Sequence, residues 1–191
     1  VYQATWLKLT NNFWLDPRVP ITDDQPSCHA LTAQQQAQVG HALAGRALLS
    51  AFQSELGAPS LRAGRRTQQE EAVLNLITFM ESVHTKAVTT IFRRLTDEET
   101  TAAYYAWADG QAPLQAALTD LTKGIEGDDL MRRGLFLIAD TVLCAGFDWA
   151  VLTQPALAQT NQMLKNILTG NLIFRDYLAY KLRQGIAELP F

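Results

Sequence analysis

Glu81-Ser82-Val83-His84 places a carboxylate and an imidazole three residues apart. On a helix that spacing sets both side chains on one face, one turn apart. Joined by a second such pair and two further carboxylates, this is the donor set of a di-metal centre inside a helical bundle: the carboxylates bridge and each imidazole terminates one ion. The other reading is a partly buried Glu–His pair that satisfies itself by hydrogen bonding, and the four residues alone favour it. The chain holds three histidines, His29, His41 and His84, so no second Glu-x-x-His exists at any register. Other chemistry is weaker still. Cys28 and Cys144 lie far apart with no CxxC neighbour, which argues against a disulfide framework or a zinc site. Ser50 has no nucleophile elbow around it and no histidine beside it, which speaks against a hydrolase. Arg62, Arg65 and Arg66 beside Gly64 read as a solvated basic turn, and Trp6, Trp14, Trp107 and Trp149 as scattered packing residues.

The elements that must position these residues are helical. A helix is expected from about Thr32 to Leu56, with Val39, Leu43, Ala47 and Leu48 at three- and four-residue spacing and Gly57 then Pro59 as its stop. A second runs from about Thr67 to Leu95, with Thr67 and Glu70 in the capping-box pattern. Its inward stripe is Leu74, Ile77, Glu81, His84, Val88 and Ile91. Shorter helices follow at about Asp97–Gly110 and Ala112–Gly124. Long ones follow at about Asp129–Leu152 and Ala158–Gly185. Residues 1–30, interrupted by Pro17, Pro20 and Pro26, read as an irregular N-terminal arm. No repeat or linker divides the chain, so one all-α domain, an antiparallel bundle, spans residues 1–191.

The chain has 191 residues, 48% of them apolar and 18% charged, with a net charge of −3. That balance excludes disorder. It also excludes a strongly basic nucleic-acid footprint. No run of about 18 apolar residues escapes a charge or amide, which speaks against a membrane span. With no signal peptide visible at Val1–Trp14, a cytoplasmic protein is expected.

Phe13-Trp14-Leu15, Val19-Pro20, Gly57-Ala58-Pro59-Ser60-Leu61, Glu70-Glu71-Ala72-Val73-Leu74 and Phe79-Met80-Glu81-Ser82-Val83-His84, with Ile91-Phe92 beyond, occur in an order and spacing that resemble the small, radical-generating subunit of class I ribonucleotide reductase, its class Ib branch most closely. The similarity runs from Trp6 to Phe92 and continues more weakly through Gly146-Phe147 to Tyr180-Lys181. The resemblance implies a ferritin-like helical bundle, a homodimer, and a di-iron or di-manganese cofactor that oxidises a tyrosine to a radical used by a large catalytic subunit.

Carried over position by position, the resemblance implies that Glu81 and His84 are two remnants of six metal ligands. The other four ligand positions fall on Ser50, Ala139, Asn171 and Phe174. Val88 stands where the radical tyrosine belongs, and Gly170 where the relay aspartate belongs, while the relay tryptophan is kept as Trp14. Asp140 is expected to point off the metal axis, since one helical step rotates a side chain by about 100°. No cofactor is therefore expected, and a chain with this degenerate site is not expected to generate a radical by itself. The alternative is a metal-free paralogue that partners an intact small subunit or the large subunit. Val73, Met80 and Ala87 on a second apolar face suggest pairing with a like surface, as homodimer or heterodimer. The family's later helices and tail are absent after Phe191, so the chain is expected to be truncated or naturally short.

Overall fold

The computed structural model describes residues 1–64 and 66–189, and among these there is no strand. The α-helices are α1 (Tyr2–Asn11), α2 (Gln25–Ala30), α3 (Ala33–Phe52), α4 (Ala58–Ser60), α5 (Gln68–Leu95), α6 (Glu98–Asp109), α7 (Ala112–Gly124), α8 (Asp129–Ile138), α9 (Ala145–Leu152) and α10 (Ala158–Ala187). Helix α3 packs against α5, α6 and α9, and α10 lies against α5, α8 and α9. The four long runs α3, α5, α8–α9 and α10 thus enclose one core. Leu49, Ile77, Val88, Ile91, Met163, Ile167 and Phe174 are completely buried in it. Each large apolar side chain of this kind contributes roughly 1.5–3 kcal/mol relative to exposure.

Local chemistry starts the two helices that matter most. Thr32 accepts from the Gln35 N–H while the Gln35 side chain accepts from the Thr32 N–H, a complete capping box at the start of α3. Thr67 Oγ1 accepts from the Glu70 N–H at 3.2 Å and starts α5. The reciprocal half expected there is not made. The Glu70 carboxylate is drawn instead to Lys181 at 3.3 Å, Tyr177 Oη at 3.4 Å and Arg133 at 3.5 Å, because cations on α8 and α10 outbid a backbone N–H.

Three sequence expectations are corrected. The arm at residues 1–30 is largely helical. Helix α1 is held by Thr5 and Leu9 buried against α5 and α10, and Pro17 and Pro26 stand second in short helical turns, within the first turn, where no intrahelical N–H bond is lost. Gly57 does not stop the first long helix. The chain widens into a π turn over Gln53–Gly57 and continues through α4, Pro59 taking an early position in the new turn. Finally, Val73, Met80 and Ala87 are buried within the chain, because α1, α3 and α10 all pack on α5 and cover more than one of its faces. They leave no second apolar face for a partner.

The continuous helical run Asp129–Leu152 is, among the described residues, the one stretch long and apolar enough by length and composition to cross a membrane. It also carries Asp140 and Asp148, both buried against polar partners inside the bundle, as a core helix does.

Candidate functional site

Glu81 and His84 lie side by side on the inner face of α5, both with no exposed surface. Their closest approach, His84 Nδ1 to Glu81 Oε2, is 3.7 Å. That is too long for a hydrogen bond. Among the described residues, neither oxygen of Glu81 and neither nitrogen of His84 has a hydrogen-bond partner. The expectation that the two residues satisfy each other is therefore corrected. The imidazole is held by rings instead: Trp14 lies near-parallel to it at 6.0 Å and Phe174 at 5.8 Å. Helix α10 passes this side of the ring at Gly170, where an added β-carbon would meet His84 Nε2 at an ordinary contact distance of 3.4 Å. Burial, reinforced by the nearby Arg46 cation, lowers the His84 pKa to about 3, so the ring is neutral at physiological pH.

The other positions singled out in the sequence are inside as well. Ser50, Val88, Ala139 and Phe174 have no exposed surface, and Asn171 is buried. Asn171 Nδ2 donates to Asp140 Oδ1 at 2.8 Å, which ties α10 to the α8–α9 run. Asp140 is buried beside Ala139. Residues Ala139–Cys144 form a π turn, and this widened turn buries both Ala139 and Asp140 where an ordinary helical step would have turned one of them away.

The residue that organises the site went unnoticed in the sequence. Arg46, on α3 one turn before Ser50, is only 1% exposed. Its Nε donates to Asp148 Oδ1 at 3.0 Å across to α9, and its Nη1 donates to Ser50 Oγ. Gly45 permits this approach of α3 and α9, because a β-carbon at that position would meet the Phe147 ring at 2.5 Å. Burial alone would lower the Arg46 pKa, but Asp148, with Cys144, Asp140 and Glu81, holds it above the ordinary value. The guanidinium in turn opposes the rise that burial imposes on the surrounding acids. Glu81 still reaches about 7, Asp140 stands well above the usual carboxylate range, and Asp148 is raised too. Burial likewise pushes the Cys144 thiol up. Near neutral pH the interior therefore contains one fixed ion pair, a neutral histidine and acids inclined to keep their protons. Among the described residues, no three His, Cys, Asp or Glu side chains stand together as a metal-ligand group.

A bundle of long helices with acids and a histidine buried between them is ferritin-like in class. Within that class, the chain belongs to the ribonucleotide reductase small-chain family, whose model matches residues 1–190. It is 31% identical over 189 residues to the ribonucleoside-diphosphate reductase 2 subunit beta of Escherichia coli K12, covering 96% of this chain and 59% of that protein. It is also 31% identical over 188 residues to subunit beta nrdF2 of Mycobacterium tuberculosis, covering 95% and 57%. Among solved structures, the dimanganese(II)-NrdF of Streptococcus sanguinis superposes with a TM-score of 0.94 at 31% identity, over 99% of this chain and 68% of that one. The chain thus spans somewhat more than half the length of the curated relatives it matches. The class I small-subunit kinship and the ferritin-like fold read from the sequence both stand.

Proposed function

We propose that this chain is a ribonucleotide reductase small-subunit relative whose radical-generating centre has been converted into a metal-independent polar core. The observation that carries this reading is the buried guanidinium of Arg46, closed onto Asp148 and Ser50. By the resemblance carried over position by position, Ser50, Ala139, Asn171 and Phe174 replace four ligands and Val88 replaces the oxidisable tyrosine. Of the donors a di-metal centre needs, Glu81 and His84 remain with free lone pairs, while Asp140 already has one oxygen engaged by Asn171. The neighbouring fixed cation opposes two further divalent charges. The residues present do not fit a di-iron or di-manganese group. Trp14 then serves as a packing ring on His84 rather than as part of a relay.

The test is direct. Protein loaded anaerobically with iron(II) and exposed to oxygen is expected to show no tyrosyl radical in electron paramagnetic resonance and far fewer than two irons per chain. A radical signal with about two irons bound would refute the reading.

A role by protein contact in deoxyribonucleotide synthesis follows, as a partner of an intact small subunit, as a homodimer, or on the large subunit. One feature of the surface favours contact: Met131, Ile138, Val142 and Trp149, at steps of seven, four and seven along α8–α9, are each at least half exposed. Apolar side chains in such a row are a common mark of a binding surface. Sedimentation at micromolar concentration is expected to show a dimer, or a mixed complex when an intact small subunit is added. A monomer that forms no complex with either subunit would remove the contact role.

A further inference from the structure

Arginine side chains also gather away from the Arg46 core. Arg132 and Arg133, near the start of α8, and Arg66, just ahead of α5, line a cavity of about 230 Å³ together with Leu61, Glu70 and Asp129. Of the basic turn read in the sequence, Arg62 is exposed and Arg65 lies outside the described residues, but the Arg66 side chain is only 8% exposed. Those of Arg132 and Arg133 are 14% and 12% exposed. Ordinary surface arginines, free to keep their heads in water, are not enclosed to this degree.

Two of the three are anchored by the chain itself. Arg66 Nη1 donates to the Leu61 carbonyl and Nη2 to the Gly64 carbonyl, both at 2.9 Å, while Nε lies 3.3 Å from Glu71. Arg133 Nη2 contacts Asp129 at 2.7 Å and Glu70 at 3.5 Å. Arg132 is different. Its Nη1 donates to the Gly127 carbonyl, but the Asp129 carboxylate stands 4.0 Å from its Nη2, beyond hydrogen-bond reach. Its Nε is buried and meets no acceptor among the described residues. A charged donor in that condition costs free energy until an acceptor reaches it. The cavity wall carries three guanidinium groups against two carboxylates, and Glu70, one of the two, is shared with Lys181 at 3.3 Å. Positive charge is therefore in excess here, although the chain as a whole is net −3.

From this geometry we infer that the cavity binds a phosphate group, supplied by inorganic phosphate or by the end of a nucleotide, with Arg132 as its principal contact. A guanidinium donates to phosphate oxygens as a fork and keeps its charge when enclosed. Cations brought from two elements, α8 and the segment before α5, suit a tetrahedral oxyanion, whose acceptors point in several directions, better than a planar carboxylate. The acids on the wall position the site rather than fill it: Asp129 and Glu70 hold Arg133, and Arg132 keeps an unspent donor. The site shares no residue with the Arg46–Asp148 pair and goes beyond the proposed function without depending on it.

The experiment titrates the full chain with sodium phosphate and, separately, with ADP, against sodium chloride at matched ionic strength. At least one of the two phosphate-bearing probes is expected to bind saturably in calorimetry, with about one site per chain. At roughly tenfold excess over its Kd it should raise the melting temperature by about 3 °C or more, and chloride should not. Arg132→Gln is expected to weaken that binding about tenfold or more. Arg93→Gln removes the same charge from an exposed residue outside the cavity and should bind as the parent does. If Arg132→Gln does not fold, Arg132→Lys carries the comparison: it keeps the charge, loses the fork and is expected to bind several-fold more weakly. ADP binding more tightly than phosphate assigns the site to a nucleotide, and ADP binding no more tightly assigns it to free phosphate; both support the inference. No saturable binding of either probe, a melting shift matched by chloride, or binding undiminished in the Arg132 variants overturns it.

Discussion

Asp148→Ala is expected to destabilise the protein by about 3–5 kcal/mol, because it leaves the Arg46 guanidinium buried without its partner. Both side chains are 1% exposed, so water cannot take over the lost interaction without opening the contact between α3 and α9. Deleting one member of such a pair is costly for this reason, whereas replacing both by apolar groups of similar volume is often neutral. Arg46→Met/Asp148→Leu is therefore expected to recover most of the loss in urea denaturation. This non-additivity separates a closed ion pair from two independent packing positions, for which the losses would simply sum. An Asp148→Ala variant as stable as the parent would show that the guanidinium has another means of support.

Much of the fold was legible because long amphipathic helices announce themselves by period and cap. The starts of α3 at Thr32 and α5 at Thr67, and the single run from Asp129 to Leu152, follow from spacing and N-cap chemistry. The π turns did not show, since the extra residue shifts the helical phase by about 100° and no residue type marks where that shift falls. That is why the burial of both Ala139 and Asp140 is not readable from spacing. The second apolar stripe of α5 is a different failure: a helix packed on several sides within its own chain carries the same pattern as one that pairs with a neighbour. The buried cation was in principle readable. Arg46 interrupts the stripe Val39, Leu43, Ser50, and Asp140, Cys144 and Asp148 recur every four residues on one side of their helix. Opposite charges on the inward faces of two predicted core helices are a signal for a buried pair. Attention to a family's expected ligands looks past it, because the pairing residues occupy neither ligand position.

Ala139→Glu restores a carboxylate at one of the lost ligand positions, and it is expected to harm the protein by about 2–5 kcal/mol. Position 139 has no exposed surface, and the one fixed cation nearby is already engaged by Asp148 and Ser50. The added acid would join Glu81 and Asp140, whose pKa values burial already raises, Glu81 from 4.5 to about 7. A carboxyl group whose folded pKa lies above its unfolded value binds more protons in the folded state. Its penalty is absent below the unfolded pKa and grows as pH rises towards the folded one. The difference in melting temperature between Ala139→Glu and the parent is accordingly expected to be small near pH 4.5 and to widen to a plateau above pH 7. A functional metal centre lacking only this ligand behaves in the opposite way: there the new carboxylate has an ion to bind, and adding manganese(II) stabilises the variant. Metal-free melting curves across that pH range, repeated with manganese(II), distinguish the two. Unchanged stability at every pH would mean that position 139 reaches water, and that the interior around the Arg46–Asp148 pair is open rather than packed.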